Sequence, residues 1–372
     1  MSIRTVGLYF YRLGSSAGGA ERMICDLANA LLGRGFIVHL VSWDDESAVT
    51  FYPLNEGVIW HRLGFTRGYA DKLRRSRLLA KLLRNNDVRT LVGFVMSNDK
   101  TVYAAVKLAG VKLVVAERNA PTMYYLRYSA IQRWLTFILL RLADRITLQF
   151  TDFTAGYPAS LAGRMETIPN PVPLASDKAQ PNIPDMDGRF TLLAVSRLDG
   201  VQKRLGCLLR AFALVVQNQP GWILKIIGDG PEEGGLRELA LALGITEQVR
   251  FVSPTPNIFT AYTKAHLFVI PSLWEGFPNA LAEALAHGLP AVGFHGAAGV
   301  ENLISAGNNG WLAEILDSEI SLANSLRLAM ADGSERVRRG KLAVKSMADY
   351  VPEIQFDRWE ALLETLASGG TP

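Results

Sequence analysis

The stretch that decides the fold is VIPSLWEGFPNALAEALAHGLPAV, residues 269–292. It begins inside an apolar run, residues 266–271, that is typical of a buried parallel strand. A loop follows, and then residues 279–287, rich in Ala, Leu and Glu, predict a helix. Pro278 suits the first turn of that helix, and Gly-Leu-Pro ends it before a second apolar strand at residues 291–294. The order is therefore strand, loop, helix, strand.

The loop is a candidate anion site with two carboxylates beside it. Loop N–H groups and a helix N-terminus meet at one point, which favours an anion and above all a phosphate. Glu275 lies in the loop and Glu283 within the helix. Carboxylates beside a phosphate suit the acceptance of hydrogen bonds from sugar or ribose hydroxyls. The plainer alternative is that Glu275 caps the helix and Glu283 is a solvated helix residue.

The spacing of these two carboxylates resembles a known signature. Seven residues separate Glu275 from Glu283, inside a frame that reads Pro-Ser-x-x-Glu-Gly-Phe-Pro-Asn and ends in Gly-Leu-Pro. This resembles the E-x7-E signature of the retaining glycosyltransferases of family 4 (glycosyl transferases group 1), and the resemblance covers nearly the whole chain. It implies the α/β fold called GT-B, in which two Rossmann-like doubly wound domains face each other across a cleft.

The order of elements agrees with two such domains. Strand and helix patterns alternate along the chain of 372 residues, which predicts parallel sheets with ligands at the carboxyl ends of the strands. We predict a first, acceptor-binding domain at residues 1–172 and a nucleotide-sugar-binding domain at residues 173–351, joined at the proline-rich segment 169–173. The resemblance implies that a terminal helix, residues 352–367, packs back on the first domain.

Two glycines near the N-terminus are candidate donor-binding residues. Gly18 and Gly19 lie between a predicted strand and a predicted helix, where a backbone can approach a ligand closely. Their spacing with Gly14 does not match the dinucleotide pattern G-x-G-x-x-G, which counts against a dehydrogenase. Gly18-Gly19-Ala-Glu-Arg22 resembles the loop that faces the donor phosphates in family 4. The alternative is a simple tight turn.

Two cations follow the first predicted strand of the second domain. Arg197 ends one strand and Lys203 starts a helix, so the pair suits a diphosphate leaving group and resembles the Arg…Lys element of family 4. Gly228, in a Gly-x-Gly-Pro turn, resembles the turn near the nucleotide in that family. Surface charges at a turn are the alternative for the two cations.

Arg118 is a further candidate catalytic residue. It follows a predicted strand within Glu117-Arg118-Asn119, where many family relatives have a histidine close to the transferred sugar. Arg118 is expected to stabilise phosphate charge there. An arginine paired with a carboxylate is the structural alternative.

The first domain also has features expected of a membrane-facing protein. Residues 1–172 carry 22 Lys and Arg against 13 Asp and Glu, whereas the remainder carries 17 against 22. The basic stretch 67–89 predicts either a helix on anionic lipid or an ordinary surface helix. Residues 124–143 predict one long aromatic and basic helix for a membrane, an acceptor or core packing. No nucleic-acid partner is expected, because no aromatic platform accompanies the basic run.

With these features, the resemblance to family 4 implies a retaining transfer of a hexose-type sugar from a nucleoside-diphosphate sugar, with a UDP-sugar favoured. Arg197, Lys203 and Arg118 would stabilise phosphate charge, Glu275 would hold sugar hydroxyls and Glu283 the ribose. Backbone groups of the remaining donor-binding candidates would complete the site: Gly276, Phe277, Pro278, Asn279 and Ala280. With cations built in, neither a metal nor a cofactor is expected.

The acceptor is expected to be a lipid-linked saccharide of cell-surface polysaccharide or lipopolysaccharide synthesis. The longest membrane-like stretch, residues 134–140, is far below the roughly 20 residues that span a bilayer. We therefore expect a cytoplasmic protein bound peripherally to the cytoplasmic face of the membrane. Two other functions stay open at this point: a nucleotide-sugar epimerase of the same fold, and a non-catalytic nucleotide-sugar-binding protein.

Overall fold

The chain forms two compact units. A computed structural model describes residues 4–14, 18–64, 69–94, 96, 99–255 and 257–368. The first unit consists of Met1–Pro171 with Pro352–Pro372, and the second of Val172–Val351. Each unit contains one parallel sheet with crossover helices, so the predicted α/β class with two Rossmann-like domains is confirmed.

The described residues of the first unit form seven strands, in chain order β1 (Thr5–Tyr9), β2 (Ile37–Ser42), β3 (Ile59–Arg62), β4 (Thr90–Phe94), β5 (Lys112–Ala116), β6 (Arg145–Leu148) and β7 (Met165–Thr167). They pair in the order β3-β2-β1-β4-β5-β6-β7, and every pair is parallel. The strand order reverses between β1 and β4, because the chain runs outward to β3 and then returns to the other side of β1.

Five helices connect these strands: α1 (Gly19–Gly33), α2 (Tyr69–Asn85), α3 (Thr101–Ala109), α4 (Thr122–Arg127) and α5 (Ala130–Leu140). The connections through α2, α3 and α5 advance across the sheet in one direction, and the connection through α1 advances in the other. Because such crossovers are right-handed, α2, α3 and α5 cover one face of the sheet and α1 covers the opposite face.

The second unit contains six parallel strands: β8 (Phe190–Val195), β9 (Trp222–Ile227), β10 (Val249–Val252), β11 (Leu267–Val269), β12 (Ala291–Phe294) and β13 (Gly310–Ala313). They pair in the order β10-β9-β8-β11-β12-β13. The order reverses between β8 and β11, and such a reversal opens a crevice at the carboxyl ends of the two strands.

The helices of the second unit are α6 (Gly200–Lys203), α7 (Leu205–Val216), α8 (Glu233–Ala242), α9 (Phe259–Thr263), α10 (Asn279–Ala286), α11 (Glu319–Ala331) and α12 (Gly333–Ser346). The chain then returns to the first unit with α13 (Pro352–Ala367). Trp359 and Leu363 of α13 are buried in one cluster with Leu8 of β1 and Leu27 of α1. Burial of this apolar face joins the terminal helix to the first sheet.

The prediction of one long helix at residues 124–143 is wrong. The helix α4 ends at Arg127, Tyr128 is extended (φ −111°, ψ 139°), and α5 begins after Ser129. Ser129 Oγ accepts a hydrogen bond from the Gln132 N–H at 3.3 Å, and the Gln132 side chain accepts one from the Ser129 N–H at 3.0 Å. This reciprocal capping box satisfies the N–H groups at a new helix start, which favours two helices over one.

The basic stretch forms the helix α2, which has one buried apolar side and one exposed basic side. Arg67 lies outside the described residues. Leu79 and Leu83 of α2 are fully buried, whereas Leu73 and Leu78 are 66% and 40% exposed among basic side chains. The helix therefore packs on the sheet and presents a mixed basic and apolar outer face. Among the helices of the described residues, none is long and apolar enough to cross a bilayer.

Candidate active site

The site candidates of the second unit follow strands on either side of the point where the strand order reverses. Arg197 and Lys203 follow β8, and Glu275 follows β11. Because parallel strands end at the same edge of a sheet, these side chains belong to one edge, and that edge is where open α/β sheets bind ligands.

Glu275 and Lys203 are in direct contact. Lys203 Nζ lies 2.5 Å from Glu275 Oε1, and their side chains are only 14% and 9% exposed, respectively. Gln202 supports the pair: its Nε2 donates to the Trp274 carbonyl oxygen at 2.8 Å and lies 3.4 Å from Glu275 Oε2. A cation and a carboxylate this close and this little hydrated interact strongly, and a bound anion would compete for the same ammonium group.

The loop that carries Glu275 is held by a neighbouring loop. The Glu275 N–H donates to the Ala298 carbonyl oxygen at 2.7 Å, and Trp274 forms a parallel bridge with Ala298. Gly299 has a φ of +81°, and a Cβ there would lie 2.3 Å from the Glu275 carbonyl oxygen. Only glycine permits this approach of the two backbones. The position of Glu275 is thus set by the loops after β11 and β12 together.

Arg197 lies on a turn that packs closely against the turn containing Gly228. The side chain of Arg197 is exposed, and the adjoining Leu198 N–H donates to the Asp229 carbonyl oxygen at 2.7 Å. A Cβ at Gly228 would lie 1.9 Å from the Ser196 carbonyl oxygen, so the predicted nucleotide turn can only carry glycine at this position. The backbone around Arg197 is therefore fixed, whereas its guanidinium is accessible to a ligand.

The helix α10 begins directly after the loop, as the sequence predicts. Pro278 is its N-cap, and Asn279 is its first residue. Gly276, Phe277 and Pro278 are buried, and Asn279 and Ala280 are half-buried. The first N–H groups of a helix have no partner within it and carry its partial positive charge. The helix start thus lies next in sequence to the Glu275–Lys203 pair and can receive an anion.

Glu283 is buried in α10 and is held by a tyrosine. Tyr262, which is fully buried in α9, donates its hydroxyl to Glu283 Oε2 at 2.8 Å. His287 Nδ1 lies 2.7 Å from the Glu283 carbonyl oxygen, and its ring stacks on Phe259. Burial lowers the pKa of His287, which favours a neutral ring. The sequence's alternative of a solvated helix residue is therefore not what the structure shows for Glu283.

The remaining candidates belong to the first unit. Gly18 is the N-cap of α1 and Gly19 its first residue. A Cβ at Gly18 would lie 2.3 Å from Glu21 Oε2, but this oxygen ends a flexible side chain that can move away, so the contact does not require glycine at this helix start. Residues 15–17 of the same loop lie outside the described residues. A role of these two glycines at the donor stays a prediction.

Arg118 is half-buried at the carboxyl end of β5, and burial lowers its pKa although neighbouring Glu117 opposes the shift. Its guanidinium donates hydrogen bonds to oxygen atoms of Thr147, Ile168 and Asn170. It also lies over the rings of Phe94 and Trp359. No carboxylate is among these hydrogen-bond acceptors, so its contacts differ from the carboxylate pairing considered from the sequence. Its role as a stabiliser of phosphate charge stays a prediction.

Two residues at the site were missed by the sequence analysis. Gln202 is adjacent to Lys203, and a polar residue beside a candidate cation was a usable signal. Tyr262 had no such signal, because it is 21 residues from Glu283 in sequence and stands in a segment with no recognised pattern. Only the packing of α9 against α10 brings the two side chains together.

No group of three or more His, Cys, Asp or Glu side chains in the described part of the chain is arranged to hold a metal ion. The chain contains an Asp-x-Asp sequence at Asp185 and Asp187. Asp185 Oδ1 accepts the N–H groups of Asp187 and Arg189 at 3.0 and 2.8 Å. This turn precedes β8 and therefore lies at the amino edge of the sheet, opposite the candidate site.

With the geometry in place, comparison with known proteins defines the class. Residues 176–346 match the family model described as glycosyl transferases group 1. This segment makes up most of the second unit and just under half of the chain. The protein is a glycosyltransferase, and its two parallel sheets are those of the GT-B fold.

Two curated relatives and one solved structure resemble the chain over nearly its full length. The amylovoran biosynthesis glycosyltransferase AmsD of Erwinia amylovora is 25% identical, over 94% of this chain and 97% of its own. The Campylobacter jejuni N-acetylgalactosamine-N,N'-diacetylbacillosaminyl-diphospho-undecaprenol 4-alpha-N-acetylgalactosaminyltransferase is 28% identical, over 96% and 98%. Anabaena HepE in complex with UDP and glucose has a TM-score of 0.79 at 18% identity, over 98% and 100%. This last likeness shows the fold.

Proposed function

We propose that this protein is a retaining glycosyltransferase of family 4. It moves a hexose-type sugar from a nucleoside-diphosphate sugar to a lipid-linked saccharide during cell-surface polysaccharide or lipopolysaccharide synthesis. The observation that carries the proposal is the contact between Lys203 and Glu275, 2.5 Å apart, beside Arg197 and the start of α10 where the strand order reverses. A cation, a hydroxyl acceptor and a helix N-terminus are together what a nucleotide-sugar diphosphate requires.

The cations act on the leaving group. Lys203 Nζ binds the diphosphate, and the exposed guanidinium of Arg197 adds a second positive charge. Among residues Phe277 to Ala280, the backbone N–H groups of Phe277 and Ala280 are the further donors, because Pro278 has no N–H and the Asn279 N–H donates to the Phe277 carbonyl oxygen at 2.9 Å. As the bond between the anomeric carbon and the phosphate oxygen breaks, its electron pair goes to the phosphate, where these groups stabilise the developing charge. No step requires a divalent metal or another cofactor.

The carboxylates act on hydroxyl groups. Glu275 accepts hydrogen bonds from the donor sugar, and Glu283, fixed by Tyr262, accepts them from the ribose. In the front-face reaction of the resembled family, the acceptor hydroxyl attacks from the side that the phosphate leaves. The acceptor proton passes to the departing phosphate oxygen, and the anomeric configuration is retained. Gly18 and Gly19 are proposed to approach the phosphates from the first unit.

The finer substrate assignments draw on the relatives. A UDP-sugar is favoured because HepE, a fold relative, is in complex with UDP and glucose. A lipid-linked acceptor is favoured because the Campylobacter relative is named for a diphospho-undecaprenol acceptor, and AmsD is named for biosynthesis of a polysaccharide. Such an acceptor places the protein in the cytoplasm, at the cytoplasmic face of an anionic membrane, which the basic first unit would contact.

Thermal shift with UDP-, GDP- and ADP-sugars tests the donor site. Ligand binding raises the melting temperature according to RT ln(1 + [L]/Kd). We expect one nucleotide class to stabilise the wild type and Lys341→Ala, a control at an exposed lysine of α12, but not Lys203→Ala. Each variant is compared with its own ligand-free melting temperature. A shift that survives Lys203→Ala contradicts the placement of the diphosphate.

Transfer assays test the reaction. With the donor so identified, we expect sugar transfer to undecaprenyl-diphosphate-linked saccharides, with an unchanged anomeric configuration by NMR and full activity in EDTA. An inverted product contradicts the retaining assignment, and loss of activity in EDTA contradicts metal independence. Release of free nucleotide and sugar without acceptor dependence indicates the epimerase alternative.

A further inference from the structure

The helix α5 exposes an apolar face. Ile131, Trp134 and Leu135 are 71%, 61% and 40% exposed, and Leu142, just beyond the helix, is 40% exposed. Their spacing of three and four residues places them along one side of the helix, and Leu142 continues that side. Single exposed apolar residues are ordinary, but a contiguous row of large ones marks an interaction surface.

The opposite side of α5 already packs on the protein. Thr136 and Leu140 are 5% and 1% exposed. The side that faces solvent therefore carries large apolar residues although the other side already packs on the first unit. Because a surface helix ordinarily turns polar residues to solvent, the apolar outer face of α5 is expected to be covered in the working protein.

The apolar face extends onto α4 and contains a groove. Tyr125 and Leu126 of α4 are 54% and 59% exposed. The guanidinium of Arg133 lies 4.4 Å from the centre of the Tyr125 ring and so joins the two helices. The groove has a volume of about 600 Å³ and is lined by Ala130, Ile131, Arg133, Trp134 and Phe137.

All formal charges on this segment are positive. Between Glu117 and Asp144 the chain contains no acidic residue, whereas it contains Arg118, Arg127, Arg133 and Arg141. Arg127 and Arg141 are exposed. The helix α2, whose crossover places it on the same face of the sheet, adds five exposed basic side chains: Lys72, Arg74, Arg77, Lys81 and Arg84.

We propose that this surface is the membrane anchor of the protein. The hairpin surface, defined as the exposed apolar side chains of α4 and α5 with Arg127, Arg133 and Arg141, enters the headgroup layer of an anionic bilayer. Trp134 and Ile131 reach the acyl boundary, and the arginines meet lipid phosphates. The charge argues against a second copy as the occupant, because residues 118–143 contain no acidic residue and two such surfaces would bring like charges together.

This inference rests on the proposed function, since a lipid-linked acceptor requires the enzyme to work at a membrane. Its test uses vesicles without donor or acceptor, so its failure is distinct from failure of the activity. We expect the wild type to sediment with vesicles that contain phosphatidylglycerol, and to bind those made only of phosphatidylcholine more weakly. Ile131→Ser and Trp134→Ser are each expected to weaken vesicle binding by about tenfold, since each removes one apolar side chain that the bilayer would bury.

The matched control is Leu108→Ser. Leu108 is 55% exposed on α3, in the same unit, and is not one of the side chains that define the hairpin surface. We expect this variant to bind vesicles like the wild type. All three variants are expected to keep the thermal shift with the donor nucleotide, which shows that they are folded. Equal loss of vesicle binding in Leu108→Ser and Trp134→Ser overturns the proposal.

A second measurement locates the surface directly. Brominated phosphatidylglycerol quenches only tryptophans that approach the acyl chains. We expect quenching in the wild type and its loss in Trp134→Phe, which keeps an apolar ring and still sediments with the vesicles. Unchanged quenching in Trp134→Phe overturns the proposal. So does a wild-type dimer that Ile131→Ser converts to a monomer without any loss of vesicle binding, because the surface would then be a subunit interface.

Discussion

The contact between Lys203 and Glu275 leads to a prediction. Replacing Glu275 is expected to lower the stability of the protein and to raise its affinity for UDP. The perturbations are Lys203→Met, Glu275→Gln and the double variant. Both side chains are nearly buried and lie 2.5 Å apart. Their Coulomb attraction is roughly 7 kcal/mol at an effective dielectric constant of about 20. The penalty for taking both ions out of water is of similar size, so the intact pair contributes little net stability.

Removal of one partner has a large effect because the other charge stays buried without its counter-charge. We expect each single variant to lose about 3 kcal/mol of unfolding free energy. For a unit of this size, that loss lowers the melting temperature by roughly 6–12 °C. The double variant, which buries neither charge, is expected to be more stable than the sum of the two single losses predicts, with a coupling of about 2 kcal/mol or more.

The affinity for UDP distinguishes a pair that binds the diphosphate from an ordinary structural ion pair. In Glu275→Gln the diphosphate supplies the missing counter-charge of Lys203 and no longer meets a carboxylate. We therefore expect UDP to bind this variant about tenfold more tightly than the wild type, a difference of about 1.4 kcal/mol. Sugar transfer by the same variant is expected to fall, because Glu275 no longer accepts hydrogen bonds from the donor sugar.

Calorimetry provides both measurements: scanning calorimetry gives stability, and titration calorimetry gives UDP affinity. The control is Glu233→Gln on α8, where Arg237 and Glu233 form an exposed pair at 2.7 Å. Such a pair contributes about 0.5 kcal/mol or less, so its loss should barely change the melting temperature. Additive effects of Lys203→Met and Glu275→Gln, or weaker UDP binding by Glu275→Gln, would refute this account of the site.

Two further predictions concern buried groups of the second unit. Tyr262→Phe removes the hydroxyl that holds Glu283. We expect about tenfold weaker binding of UDP, measured by titration calorimetry, but little change in binding of its 2′,3′-dideoxy analogue. Equal losses for both ligands would show a merely structural role of Tyr262. His266 accepts a backbone N–H through Nδ1 at 2.8 Å, and burial lowers its pKa below 6.5. The unfolded chain therefore binds the proton first, so stability is complete above about pH 6.5 and falls as the pH decreases, by up to about 1.4 kcal/mol per pH unit. We expect His266→Gln to show a smaller loss of urea resistance between pH 7.5 and pH 5.5, and an identical loss would contradict this role of His266.

The control for Tyr262→Phe is Tyr125→Phe in the first unit. It removes a tyrosine hydroxyl of a different unit, one that lies 3.3 Å from the Gly156 carbonyl oxygen. We expect UDP and its dideoxy analogue to bind this variant as they bind the wild type.

The amino-acid sequence by itself determined the order of the strands and helices and which residues are most suited to the site. Alternation of apolar runs with helix-forming segments is a local property, and the strand β12 has the predicted bounds, residues 291–294. The start of α10 after Pro278 follows from proline chemistry. Residue type and position after a strand also selected Arg197, Lys203 and Glu275, because carboxyl ends of parallel strands collect ligand-binding groups. Glu283 was selected by its spacing from Glu275, which resembles the E-x7-E signature.

Tertiary structure alone decided which of these residues meet. Lys203 and Glu275 are 72 residues apart in sequence, and their contact depends on β8 and β11 being neighbours. The contact of Tyr262 with Glu283 and the contacts around Arg118 likewise join segments that no local pattern links. The exposed face of α5 has the same origin. Apolar residues in a sequence predict burial, and only the packed structure shows that this row of them faces outward, because burial depends on what the neighbouring segments cover.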